Sequence, residues 1–127
     1  MERTVISTNH APAAIGPYSQ AIKTSGQLLY TAGQIPLDPE TAEIVGNDII
    51  EQTHQVFKNI KAILEAAGAD FQNIVKTTVF LNDISDFAAM NEVYAQYISE
   101  NPPARSAVGG LQLPKGVLVE IECVAAI

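Results

Sequence analysis

The chain has 127 residues, 47% of them apolar, and a formal net charge of −7. That length suits a single domain with one core, and the composition is that of a globular rather than a disordered chain. The acidic balance, with seven Lys and Arg scattered singly, argues against nucleic-acid binding; no apolar run is long enough to cross a bilayer, and no secretory signal opens the chain.

Residues 4–7 predict a short first strand. A loop punctuated by Pro12, Gly16 and Pro17 follows. Residues 20–24 and 27–32 flank Ser25-Gly26, a tight-turn dipeptide, and predict a hairpin. Gly33-Gln34-Ile35-Pro36 closes that pair, and residues 37–46 form an exposed loop or short extension. Asp48 and Glu51 resemble a capping box at the start of a helix. Ile49, Val56, Phe57, Ile60, Ile63, Leu64 and Ala67 then recur at helical spacing, and Gly68 is the stop. The β-branched run Ile74–Leu81 predicts a strand. A second helix starts near residues 83–86, carries Phe87, Met90, Val93, Tyr94 and Tyr97 on one face, and ends before Pro102-Pro103. Residues 104–108 form a short strand and 117–126 the last one.

The order is therefore β-β-β-α-β-α-β-β, an α+β pattern. Two helices are too few to cover both faces of a sheet, so they cover one. In the last strand Val117, Val119, Ile121, Cys123 and Ala125 face the helix-backed core, and Leu118, Glu120, Glu122, Val124 and Ala126 face the other way. That second face is partly apolar, which predicts burial in an oligomer, with the two carboxylates near a subunit boundary.

Most signatures of chemistry are absent. There is no P-loop, no Gly-x-Gly-x-x-Gly and no Cys-x-x-Cys or His-x-x-x-His pair, so no zinc site of that kind is expected. His10 and His54 are expected to be ordinary polar residues, and the serines have no evident triad partner. Cys123, the only cysteine, cannot form an internal disulfide. It suits a reducing, cytoplasmic setting and is expected to be a small buried hydrophobe. Gly109-Gly110 reads as a turn or a point of close backbone approach.

Three residues remain. Of the two arginines, Arg3 sits at a terminus, where a solvated charge is expected, whereas Arg105 lies in an uncharged segment of small residues and needs an anionic partner. That partner is either an internal carboxylate, Glu120 or Glu122, or a ligand carboxylate gripped by the guanidinium fork. Glu120 is a solvated strand residue or a general acid/base. Tyr18, after Gly16-Pro17, packs on the domain or lids a pocket. The local sequence leaves each of these pairs open.

The segments Ala11-Pro-Ala-Ala-Ile-Gly-Pro-Tyr-Ser-Gln20, Gly33-Gln-Ile-Pro36, Val75-Lys-Thr-Thr-Val-Phe80, Asn91-Glu-Val-Tyr94, Pro103-Ala-Arg-Ser106, Leu113-Pro-Lys115 and Val119-Glu-Ile-Glu122 occur in order over nearly the whole chain. Together they resemble the RidA (YjgF) family. The resemblance implies a chorismate-mutase-like fold, a mixed sheet with two helices on one face, and a homotrimer with a cleft at each subunit boundary. It also implies cofactor-independent hydrolysis of reactive enamines and imines, those formed by serine and threonine dehydratases, to 2-oxo acids and ammonia. On that reading Arg105 docks the carboxylate of a small α-imino acid, Glu120 positions water and moves a proton, and Tyr18 comes from a neighbouring subunit to shape the cleft. The family's deaminases usually carry serine where this chain has Ala32 and cysteine where it has Ala107. Thr31 cannot replace the serine, because adjacent strand residues point to opposite faces, but Ala107 still offers its backbone N–H and C=O to a ligand. The alternatives are a non-catalytic trimer that binds small carboxylates or a partner, and a translation-inhibiting or RNA-cleaving protein, which the charge disfavours.

Overall fold

A computed structural model describes residues 2–127. Strands β1 (Arg3–Ile6), β2 (Ala21–Thr24) and β3 (Leu28–Tyr30) are followed by α1 (Ile49–Ala66), β4 (Ile74–Leu81), α2 (Phe87–Tyr97), β5 (Ala104–Val108) and β6 (Val119–Ala126). This is the α+β order expected. Asp48 accepts a hydrogen bond from the Glu51 N–H at 2.8 Å, a simple N-cap in place of the expected box. The second helix starts in two steps, a 3-10 turn capped by Asp83 and then α2 itself. No described helix is long and apolar enough to cross a membrane.

The strands divide between two sheets rather than one. β1 and β2 form an antiparallel pair, and β3-β6-β4-β5 form a mixed sheet in which only β4 and β5 run parallel. The expected hairpin between residues 20–24 and 27–32 does not form. Ser25-Gly26 does turn the chain, with Gly26 at φ 105°, but it hands it from one sheet to the other. The Ser25 N–H bonds to Glu2, while Gln27 exchanges two hydrogen bonds with Ile127. A turn dipeptide specifies a local bend; which strands it joins depends on partners a hundred residues away.

Both helices cover one face of the larger sheet. Phe57, Ile60 and Leu64 of α1 and Met90 and Tyr94 of α2 pack on Val79, Leu81, Val119, Ile121, Cys123 and Ala125 in one buried cluster. β6 alternates as anticipated, although it starts at Val119 and Ala126, on the far side, is buried as well. The opposite face carries no helix. Tyr30 is 68% exposed there, Leu28 50% and Val108 44%, with Glu120 and Glu122 among them. Gly109 leaves β5 where a side chain would collide with the Ile84 backbone, which accounts for the close approach expected at Gly109-Gly110.

Candidate functional site

β5 pairs with β4 so that Arg105 lies opposite Thr77, a residue buried under α2. Strand alternation therefore sends Arg105 to the helix-covered face. There its guanidinium carbon lies 4.8 Å from the centre of the Tyr94 ring, 5.4 Å from Phe87 and 5.5 Å from Tyr18. Each ring face attracts the cation, by about 0.5–2 kcal/mol depending on burial. Nη1 donates to the Asn91 side-chain oxygen at 2.6 Å. Phe87, Asn91 and Tyr94 recur along one face of α2 at helical spacing, so a single helix surface builds most of this cradle.

Among the described residues the charge has no counter-ion. Among the described residues the one ion pair is Lys61–Glu65, so the salt bridge considered for Arg105 with Glu120 or Glu122 is absent. Burial pulls the Arg105 pKa below its ordinary value, while the Tyr94 and Tyr18 phenols act in the opposite direction. Tyr94 is itself held neutral. Burial pushes its phenol up to about 12, and its hydroxyl shares a hydrogen bond of 2.7 Å with Thr77.

Tyr18 of the same chain lies against Arg105. Its loop is pinned to the start of β5. The Ser19 N–H donates to the Pro103 carbonyl at 3.0 Å, and the Ser19 hydroxyl to the Pro102 carbonyl at 2.5 Å. A Cβ on Gly16 would lie 3.7 Å from the Arg105 Nη2, so this loop closes directly over the guanidinium.

Glu120 lies elsewhere. It is paired with Phe80 and points to the helix-free face, where its carboxylate packs against Gly33 in space that any side chain at position 33 would fill. The adjoining backbone is bulged. Thr31 pairs with Cys123 and Gln34 with Ile121, leaving Ala32 and Gly33 together opposite Glu122. The Thr31 hydroxyl accepts from the Cys123 N–H at 3.0 Å, so it is already engaged. Ala32 therefore belongs with Glu120, whereas Ala107 shares the helix-covered face and strand of Arg105 and packs against the core.

The structure thus unites Arg105, Tyr18 and Ala107 and separates them from Glu120 and Ala32. Glu120 is two strand positions from β5, roughly 9–10 Å, and on the opposite face. The sequence reading missed Asn91 and took Phe87 and Tyr94 for plain core. The available signal was an amide set between two aromatics on an otherwise apolar helix face. Among the described residues no group of three His, Cys, Asp or Glu is placed to hold a metal.

The profile of the Endoribonuclease L-PSP family matches residues 8–127. The chain is 59% identical over 123 residues to the RutC family protein PH0854 of Pyrococcus horikoshii, covering 97% of each. It is 51% identical over 123 residues to the 2-iminobutanoate/2-iminopropanoate deaminase of Homo sapiens, covering 97% of this chain and 89% of that one. Among solved structures, RidA from the Antarctic bacterium Psychrobacter sp. superposes with a TM-score of 0.76 at 49% identity, covering 98% of this chain and 99% of that one. TdcF of E. coli with bound serine gives 0.74 at 43% identity, covering 98% of each.

Proposed function

Starting from the chain's membership of the Endoribonuclease L-PSP family, also known as the RidA or YjgF family, we propose that it is a cofactor-independent deaminase. It hydrolyses small α-imino acids, such as 2-iminopropanoate and 2-iminobutanoate, to 2-oxo acids and ammonia. The observation that carries this reading is Arg105: a half-buried guanidinium cradled by three rings and one neutral amide, with no carboxylate of its own. Such a group is oriented and desolvated before any ligand arrives, and a small carboxylate completes it.

The chemistry asks little beyond placement. A water oxygen adds to the imine carbon while a carboxylate takes its proton. That proton passes to nitrogen, giving the tetrahedral carbinolamine; the carboxylate then takes the hydroxyl proton and delivers it to the nitrogen as the C–N bond breaks, so that ammonia leaves as the carbonyl forms. Glu120 is the carboxylate we assign to this step, an effect typically of about 10²–10⁴-fold. Arg105 and Glu120 face opposite sides of one sheet, so a ligand touched by both lies between two copies of the chain. The helix-free face, with Tyr30, Leu28 and Val108 exposed, is the surface on which copies meet in a homotrimer. The charge of −7 runs against a polyanionic substrate.

The test is release of 2-oxo acid and ammonia when the protein is added to a dehydratase that generates 2-aminoacrylate. Acceleration over buffer is expected, and Arg105→Ala abolishes it while the assembly stays folded. Equal rates with and without protein reject the activity. The separation of Arg105 from Glu120 within one chain favours a second reading, a binder of small carboxylates without turnover. It predicts saturable binding of 2-oxobutanoate that needs Arg105, with no ammonia released.

A further inference from the structure

The other arginine is also placed differently from expectation. Arg3 is not a solvated terminal charge but is partly buried at the edge of a cavity of about 200 Å³. Among the described residues its guanidinium makes one hydrogen bond, from Nη2 to the Ile74 carbonyl at 3.0 Å. Among the described residues its Nε is buried without an acceptor and no carboxylate pairs with it. A buried donor left unmade is costly, so the fork calls for an acceptor.

One other lining residue is charged, Glu100, and its sign is opposite. Gln72, Tyr97, Ser99 and Glu100 line the cavity with Arg3. α2 ends at Tyr97 with no basic residue in its last turn. Its terminal carbonyls therefore present negative potential at the stretch 97–100 that lines the cavity. Asn101, at φ 43°, turns the following chain back along the cavity wall. Arg3 and Glu100 thus look into one space without forming an ion pair.

We propose that this cavity is a second binding site, for a small zwitterion of the α-amino acid class. The ligand carboxylate sits on the Arg3 fork, and the ammonium faces Glu100 and the end of α2. A simple anion would meet Glu100 and the helix end, and a simple cation would meet Arg3. Only a molecule with both charges a few atoms apart satisfies both walls. None of the side chains that contact Arg105 lines this site, which sits at the C-terminal end of α2.

The test is calorimetric titration of glycine and L-serine into the full-length Arg105→Ala chain, in which the first anion site is removed, with acetate and methylammonium as singly charged probes. Saturable amino-acid binding is expected, at least tenfold tighter than either probe. Arg3→Gln and Glu100→Gln should each weaken it at least tenfold. Glu100 is exposed, so its variant keeps the fold even if Arg3→Gln does not. In the wild-type chain, glycine should shift the backbone amide resonances of residues 97–101. No binding to the Arg105→Ala chain, with no such shifts in the wild type, overturns the proposal. So does acetate binding as tightly as glycine, or binding unchanged in Glu100→Gln.

Discussion

Arg105 donates from Nη1 to the side-chain oxygen of Asn91 across 2.6 Å, and among the described residues Asn91 is the one side chain that accepts from it. An amide orients the guanidinium without neutralising it. A carboxylate at the same place would orient it equally well and occupy the position that a ligand needs.

Substitution at 91 should separate these two effects. Asn91→Ala removes one hydrogen bond to a charged group, about 1.5–3 kcal/mol, so the KM for the imine should rise about tenfold or more with kcat less affected. Asn91→Asp should be worse despite being the closer mimic, because an internal ion pair then competes with the substrate. Steady-state kinetics on the two variants check the order; an Asp variant as active as wild type would contradict it.

Mixing inactive chains tests the division of the site between copies. Arg105→Ala and Glu120→Gln should each be inactive alone. After co-refolding in equal amounts, about a quarter of the sites in a trimer combine an intact Arg105 with an intact Glu120 from another chain. Ammonia release near that fraction of wild type is expected. No recovery would mean that both groups act from the same chain.

Two glycines should respond in opposite ways. In Gly33→Ala the new methyl meets the flexible Glu120 carboxylate, which can swing away; activity should fall while Tm changes little. In Gly109→Ala it meets Ile84 backbone atoms at 2.9 Å, which cannot. That variant should lose about 1–3 kcal/mol of stability. Thermal melts and an activity assay on both proteins distinguish the two.

Tyr94 makes the fold sensitive to alkali. Its phenol titrates at about 12 in the folded chain against 10.0 ordinarily, so between those values the unfolded chain releases a proton that the folded chain retains. The stabilisation is complete below pH 10 and is lost as pH rises toward 12, by roughly 2–3 kcal/mol. Tyr94→Phe should flatten this part of the curve and cost about 1 kcal/mol at neutral pH for the Thr77 hydrogen bond. Denaturant unfolding at several pH values measures both.

Local pattern made part of this legible from sequence. The helical spacing in α1, the β-branched run of β4 and the alternation in β6 are set by neighbours in the chain, and they appear where expected. The pairing of β2 with β1 was not legible, because Ser25-Gly26 is an equally good bend for either partner. Arg105 stood out as a lone cation, yet its surroundings did not. Tyr18 is distant in the chain, and Phe87 and Tyr94 look the same whether they fill a core or flank a guanidinium. Arg3 was misjudged because position in the chain was taken as a guide to exposure.

The alternation of β6 has a further consequence. Val119, Ile121 and Cys123 hold the helices, while Glu120 and Glu122, from the same strand, project to the other side. Replacing an acid at 120 or 122 leaves the helix-bearing layer undisturbed. The fold can therefore tolerate changes in its open-face chemistry, and descendants of one such chain can diverge in reactivity while remaining superimposable.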